Sequence, residues 1–246
     1  MTTTMSRSRL TGFGTSVALA CLALGAVACG EVPATTASED TTNTRSALWS
    51  IDNTTLDSKS WDGGSDSHLT GWYSVGCIDD YGDDYILGGL KVYKEPSGNA
   101  DNFVARLDAT CRQYEDFAGT YEPTSVEKTA QVFSGNYRSP GETIAVPGGG
   151  LYAAGMNFNV NASDGYVKDI QLLYVQKLPD SNALGGATWT YDVLFETNYA
   201  LGYWTGTEIH RQCPDQSVIT SVSVRYSTNN GKIRQIKFGC RPLEFH

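Results

Sequence analysis

The sequence predicts an all-β domain that is built from a three-fold repeat over residues 47–246. Short runs in which apolar and polar residues alternate, such as 219–226, are typical of β-strands, and long helical periodicity is absent. Segments that begin at Tyr85, Leu151 and Ser217 also read alike, and their starting points are 66 residues apart each time. Because a fixed period of this size is a property of repeat folds, we expect three copies of one unit.

Each copy of the repeat predicts a long β-hairpin. Apolar residues recur along both strands, and the turn between them contains Gly, Asn, Asp or Ser. Three unrelated hairpins are the alternative, but they leave the equal spacing unexplained. Three units of about 66 residues fill nearly all of 47–246, which favours a single domain. The equivalent positions are Ile86, Tyr152 and Val218; Leu90, Met156 and Val222; Val92, Phe158 and Val224; Val104, Val167 and Ile233; and Leu107, Ile170 and Ile236.

The cysteines fit this repeat. Of the six in the chain, Cys21 lies in the leader described below and Cys29 directly follows that leader, which leaves four in the predicted domain. Four cysteines in an exported chain indicate two disulfides, and spacing alone leaves three pairings open. In the first and third copies one Cys precedes the hairpin and another ends it. The repeat therefore predicts Cys77–Cys111 and Cys213–Cys240, each closing its own unit, while Tyr174 replaces the second Cys of the middle copy.

The N-terminal segment predicts export. Arg7 and Arg9 precede an uncharged run of small and apolar residues that ends at Ala28, so residues 1–28 are interpreted as a signal peptide. Small residues before Cys29 resemble a bacterial lipobox, which implies lipidation of that Cys and a membrane anchor. The alternative is ordinary cleavage after Ala28, which releases a soluble secreted protein. Residues 29–46 are rich in Thr, Ser and acids and predict a flexible tether.

The charge of the chain excludes one class of partner. The net charge is −9, and removal of residues 1–28 takes away two arginines and no acid, which leaves −11. Nucleic acid is not expected as a partner, because its binding needs clustered basic residues. By resemblance to Gram-negative lipoproteins, the absence of Asp after Cys29 favours the outer membrane. The predicted location is therefore the outer membrane or the extracellular space.

The repeat resembles that of vitelline membrane outer layer protein I. The stretch from Cys77 to Tyr93, continued through 101–102 to Cys111, carries the resemblance, and the stretch from Cys213 to Cys240 is the next most similar. The resemblance implies a β-prism, in which three hairpin or Greek-key units surround a pseudo-three-fold axis. It covers about half of the domain, and the middle copy lacks both cysteines. A dermatopontin-like repeat is the alternative, but its Asp-Arg-x-Trp signature is missing.

Residue types that carry catalysis are sparse. The sequence has no nucleophile elbow, zinc-protease motif or phosphate loop. His68, His210 and His246 are dispersed. Glu208 and His210 share a strand face if they lie on one strand, which suits an acid and a base, although a surface histidine is the simpler interpretation. We therefore predict a protein that is not an enzyme and has no cofactor.

An acidic turn offers an alternative metal site. Its carboxylates are oxygen ligands of the type that Ca²⁺ prefers, although their spacing is not that of an EF-hand. A solvated turn is the simpler interpretation, and the prediction is that the protein holds no metal. The turn contains Asp79, Asp80, Asp83 and Asp84.

Binding is the function that remains. The resemblance to prism folds implies sugar sites at hairpin ends, made from Asp or Asn side chains with an aromatic platform, and this warrant is one of fold analogy. The leading prediction is a surface lipoprotein that binds glycan or extracellular matrix. A purely structural outer-layer component and a glycan-acting enzyme are the alternatives. The candidate ligand-binding residues are Trp72, Asp101, Asn102, Asp164, Tyr166, Trp204 and Asn230.

Overall fold

The computed structural model describes most of the predicted domain. The described residues are 49–52, 56–64, 67–96, 103–117, 120–138, 140–148, 150–179, 189–202 and 206–245. The predicted signal peptide 1–28, the tether 29–46 with Cys29, and the candidates Asp101, Asn102 and Trp204 lie outside them. Within the described ranges, no helix has the length and apolar character needed to cross a membrane.

The described residues form thirteen strands and one short helix. The elements in chain order are β1 (Trp49–Ile51), β2 (Asp57–Asp62), β3 (Tyr73–Gly76), α1 (Cys77–Tyr81), β4 (Tyr85–Lys94), β5 (Val104–Phe117), β6 (Thr120–Ser134), β7 (Glu142–Ala145), β8 (Leu151–Val160), β9 (Val167–Pro179), β10 (Trp189–Glu196), β11 (Thr207–Gln212), β12 (Ser217–Tyr226) and β13 (Ile233–Phe245).

Two of the three sheets have the same antiparallel topology. Sheet I has the strand order β6-β5-β4-β7, and sheet II has the order β10-β9-β8-β11. In both, three consecutive strands form a meander and the fourth returns to lie beside the first. This is a Greek key, so the predicted hairpins β4–β5 and β8–β9 are the centres of larger units.

Sheet III has the same arrangement but takes its strands from both ends of the chain. Hairpin β12–β13 lies at its centre and β3 pairs with β12. Strands β2 and β1 pair with successive parts of β13, residues 235–240 and 243–245. The expectation of three consecutive 66-residue units therefore needs correction. The third Greek key is completed by β1, β2 and β3, which precede the first copy of the repeat.

The register of the three hairpins confirms the repeat. Val92 pairs with Leu107, Phe158 with Ile170, and Val224 with Ile236, as the equivalent positions predict. Each hairpin also contains a β-bulge at the same place, at Gly88, Ala154 and Thr220, which are again 66 residues apart. A bulge increases local twist, so its repetition gives the three sheets the same curvature.

One hydrophobic core joins the three sheets. Its fully buried members include Leu90 of sheet I, Met156 of sheet II and Val222 of sheet III, which are equivalent positions of the repeat. A second buried cluster contains Tyr114 and Tyr152, whose rings stack at 5.2 Å. Burial raises the pKa of Tyr114 well above its ordinary value, and its hydroxyl donates to the carbonyl of Leu151. Three Greek-key sheets around a shared core form a β-prism.

Both disulfides of the structure join the predicted pairs, Cys77–Cys111 and Cys213–Cys240. The first Cys of each pair follows an edge strand of one sheet, β3 or β11, and the second lies on a hairpin strand of the next sheet. Each disulfide therefore closes its own copy of the sequence repeat, as predicted, and in space it also ties an edge strand of one sheet to the next sheet. In the middle copy Val146 takes the place of the first Cys, since its amide donates to Gly88 as that of Cys213 donates to Ala154.

Candidate binding groove on the outer face of sheet III

The outer face of sheet III contains an open groove. Because side chains alternate along a strand, Ser221 and Ser223 of β12 point away from the core, and their neighbours across the sheet do the same. Small residues at these positions leave a depression of about 180 Å³. Its walls are Leu56, Ser58, Ser74, Gly76, Asp79, Ser221, Ser223, Lys237 and Gly239.

An exposed aromatic ring lies beside this groove. Trp72 directly precedes β3, and 41% of its surface is exposed. The ammonium of Lys237 lies 4.4 Å from the ring centroid, and the guanidinium of Arg225 lies 5.7 Å from it. Both cations come from the central strands of the sheet. Cation–π attraction to these two groups therefore holds the ring in place, while part of its surface stays exposed.

The polar side chains near Trp72 on the outer face of sheet III form hydrogen bonds with one another and with the backbone. Arg225 donates to the carbonyl of Thr70 at 2.6 Å and to the side chain of Gln235 at 3.1 Å. Gln235 donates in turn to Asp62. These bonds fix the guanidinium beneath the ring, so Trp72 has a rigid support.

The interior of the groove is less occupied. Ser74 donates to Ser223 at 2.8 Å across β3 and β12. Among the described residues, Lys237 forms no ion pair. Its ammonium contacts the ring of Trp72. Asp79 is mostly exposed, and its carboxylate lies 3.8 Å from Arg241. The groove thus offers hydroxyls, one ammonium and one carboxylate to a ligand.

The hairpin ends also meet in the structure. Asn230 donates to the Tyr166 hydroxyl at 2.9 Å, which joins the turns of sheets II and III. The Tyr166 ring packs edge-on against Phe103, which follows the turn of sheet I. The ammonium of Lys232 lies 3.8 Å from the Phe103 centroid. Residues in or next to the three hairpin turns are therefore in contact with one another.

The side chains at these turns are engaged in packing the turns themselves. Asp164 accepts hydrogen bonds from the Asn161 side chain and from the backbone of Tyr166, both within one turn. Gly165 lies against the backbone of Gly63. A role in ligand binding for Asp164, Tyr166 and Asn230 stays a prediction, and the contacts that the structure gives them join one turn to another.

The acidic turn has no arrangement for a metal. Asp79 and Asp80 lie on the five-residue helix α1, where Asp80 accepts from the amide of Gly76. Among the described residues, no three His, Cys, Asp or Glu side chains are grouped closely enough to hold a metal ion. The alternative of a Ca²⁺ site at Asp79, Asp80, Asp83 and Asp84 therefore finds no support.

Glu208 and His210 share the outer face of sheet II, as their spacing predicts. They lie on β11 opposite Asn159 and Asn157. Glu208 accepts a hydrogen bond from Tyr199 at 2.8 Å. Burial, and then the hydrogen bond to Glu208, raise the pKa of Tyr199 above its ordinary value. Glu208 thus anchors the segment that contains Tyr199, and nothing in the described contacts joins it to His210 as an acid–base pair.

Of the candidates predicted from the sequence, Trp72 lies beside the groove, whereas Lys237 and the serines of the groove were not predicted. The alternation of the third hairpin does place Ser221, Ser223 and Lys237 on one face. The opposite walls of the groove come from residues 56–58 and from β3, however. Their pairing with sheet III depends on the chain ends meeting, which the repeat did not reveal.

Solved structures that resemble this chain in part include a toxin and a lectin. No protein-family model matches the sequence, and no curated protein matches it. The mosquito-larvicidal Cry4Aa toxin from Bacillus thuringiensis aligns with 71% of this chain at 10% identity and a TM-score of 0.42, and the chain spans 33% of the toxin. A mannose-binding jacalin-related lectin from Ananas comosus aligns with 76% of this chain at 12% identity and a TM-score of 0.39, over 98% of its own length. Similarity at this level carries no argument about function.

Proposed function

We propose that this protein is a glycan-binding protein, and that the groove of sheet III is its binding site. The observation that carries the proposal is the rigidly supported, half-exposed Trp72 ring beside a groove lined with hydroxyl groups. A pyranose has an apolar C–H face that stacks on an aromatic ring and hydroxyls that need polar partners. Binding sites also combine an apolar surface with a few well-placed polar groups, and this groove does so.

We further propose that the protein is displayed at the cell surface through a lipid on Cys29. The support is in the sequence: the basic start, the apolar run to Ala28, the small residues before Cys29 and the polar tether of 29–46. Several buried acyl chains together give stable attachment, since each buried CH₂ contributes about 0.8 kcal/mol. A surface anchor suits a module whose ligands are extracellular glycans or matrix.

The binding proposal is tested on a glycan array with the mature chain purified in detergent. Trp72→Ala is expected to weaken binding at least tenfold, because it removes the stacking surface. Phe195→Ala is the matched control, since Phe195 is 37% exposed but lies on sheet II. It should leave binding unchanged.

Three outcomes contradict the binding proposal. Equal binding by the wild type and Trp72→Ala places the site elsewhere. No binding to any glycan, together with self-association, favours a structural outer-layer component. Turnover of an oligosaccharide shows an enzyme.

The anchor is tested separately by fractionation. Cys29→Ala is expected to release the protein from membranes into the soluble fraction. A variant that stays membrane-bound after its signal has been cleaved rules out attachment through Cys29.

A further inference from the structure

We propose that the groove of sheet III selects glycans that carry an anionic substituent, a carboxylate or a sulfate ester, and that Lys237 pairs with that group. This inference rests on the proposed function, because it names the sugar class for the same site. It starts from the one ammonium in the groove. Lys237 is partly buried at the centre of β13, with Ser60 and Ser223 as its neighbours on the adjacent strands.

The three-fold repeat shows that Lys237 is the exception among equivalent residues. Sheet I has Asp108 at this position, and that carboxylate is bonded to both Arg106 and Tyr93. Sheet II has Gln171, which accepts from Asn157 at 2.8 Å. Two of the three sheets therefore satisfy this site with their own side chains, whereas the described residues of sheet III give Lys237 no anionic partner.

The contact with Trp72 leaves Lys237 able to bind a ligand. An ammonium has three N–H donors, and attraction to the ring face places the cation without pairing those donors with acceptor oxygens. A partly desolvated cation gains more from a carboxylate or sulfate than one in bulk water does. The ring also keeps the ammonium in place, so less side-chain entropy is lost when the anion binds.

The rest of the groove gives such a ligand an orientation. Asp79 lines the same groove and is an acceptor, so it repels an anionic substituent and accepts hydrogens from sugar hydroxyls. The substituent is therefore directed to Lys237, beside Trp72, and the neutral hydroxyls to Asp79 and the serines. The chain as a whole has 27 acidic against 18 basic residues, so general attraction of anions does not explain a preference of this kind.

The experiment compares charged and neutral forms of the same glycans on the mature chain. The probes are oligogalacturonate and its carboxyl-reduced form, and a sulfated galactan and its desulfated form. We expect the wild type to bind at least one anionic form at least tenfold more tightly than its neutral counterpart, with affinity falling as salt rises. The two pairs distinguish carboxylate from sulfate.

The variant Lys237→Met removes the charge and keeps the length of the side chain. It should abolish the preference for the anionic form, so that the charged and neutral forms of a glycan bind with equal affinity. Lys91→Met is the matched control, because Lys91 lies on the outer face of sheet I and also contacts an aromatic ring, that of Tyr93. It changes the net charge equally and should keep the preference. Thermal unfolding of each variant checks that the fold is retained.

The outcomes separate this inference from the proposed function. Equal affinity for charged and neutral forms, with binding lost in Trp72→Ala, overturns the selection and leaves glycan binding intact. A preference that survives in Lys237→Met places the anion elsewhere. Absence of binding to every probe and every array glycan overturns both proposals.

Discussion

Equivalent residues on the outer faces of the three sheets have diverged into three different polar arrangements. In sheet I, Arg106 makes two hydrogen bonds of 2.9 Å to Asp108, and Tyr93 adds a third of 3.0 Å. In sheet II, uncharged Asn157 and Gln171 bond to each other. In sheet III, serines and Lys237 leave an open groove. A shared backbone thus carries a closed ionic face, a closed neutral face and an open face, and the open face is the one suited to a ligand.

The ionic cluster of sheet I leads to the first prediction. Asp108 is almost fully buried, and its hydrogen bond is the largest influence that raises the pKa of Arg106. Asp108→Asn leaves the partly buried guanidinium of Arg106 without its anion, so we expect a loss of about 3 kcal/mol in the free energy of unfolding. Urea unfolding followed by tryptophan fluorescence measures the loss.

The control for this prediction is an exposed ion pair. Lys59 and Asp57 lie 2.7 Å apart, but both side chains are partly in solvent, so Asp57→Asn should cost about 0.5 kcal/mol or less. Similar losses for the two variants would show that burial does not govern the strength of the Arg106–Asp108 pair.

At the scale of elements, the hairpins were predictable from the sequence and the edge strands were not. The apolar residues of β4–β5, β8–β9 and β12–β13 recur in register because both strands contribute to one core, so their pattern is strict. Edge strands bury few residues, so their sequences show little alternation of apolar and polar residues. In β7, for example, Ile144 is the one buried residue. The residues of the groove were predictable to the same unequal extent. Lys237, Ser221 and Ser223 lie on a predicted hairpin. The walls made by residues 56–58 and β3 depend on strands that pair although they are more than 140 residues apart in sequence.

The turns of the hairpins give a second prediction. Gly165 and Gly231 are equivalent turn residues with φ of 74° and 70°, a conformation that favours glycine. A Cβ on Gly165 would lie 2.3 Å from the carbonyl oxygen of Gly63, whereas the atom nearest to a Cβ on Gly231 is 3.9 Å away. We expect Gly231→Ala to cost about 1 kcal/mol from backbone strain alone.

Gly165→Ala adds a backbone clash to that strain, so its cost should be about 3 kcal/mol. The midpoints of urea unfolding for the two variants measure the difference. Equal midpoints would mean that the turn of sheet II is free to move away from Gly63, and that the contact between the hairpin ends is not tight.

At the scale of the whole molecule, the three-fold symmetry is closed by the two ends of the domain. Trp49 of β1 pairs with Phe245 of β13, so the ends of the described domain are adjacent. The sequence repeat could not show this, because β1, β2 and β3 precede the first copy and lie outside the repeated hairpins. The consequence is that sheet III, which carries the groove, is assembled from both ends of the described domain.

This closure predicts that the domain tolerates circular permutation. Paired antiparallel residues lie about 5 Å apart, so a linker of about four residues joins the end of the domain to residue 49 without strain. New termini between Pro147 and Gly148 fall in a turn where a Cβ on Gly148 would meet no atom within 4 Å. The permutant keeps both disulfides and makes all three Greek keys continuous or nearly so. We expect it to fold with a melting temperature within about 5 °C of the parent.

A truncated chain that begins at residue 67 is the contrasting variant. It lacks β1 and β2 and leaves the edge of β13 unpaired, with its backbone donors and acceptors exposed. It should unfold at a much lower temperature or associate through that edge, as measured by calorimetry and by light scattering. A truncated chain as stable as the parent, or a permutant that fails to fold, would show that the N-terminal strands do not complete sheet III.

Because β2 also supplies Ser58 to the groove, the truncation should abolish glycan binding even in any fraction that stays folded, whereas the permutant should retain it.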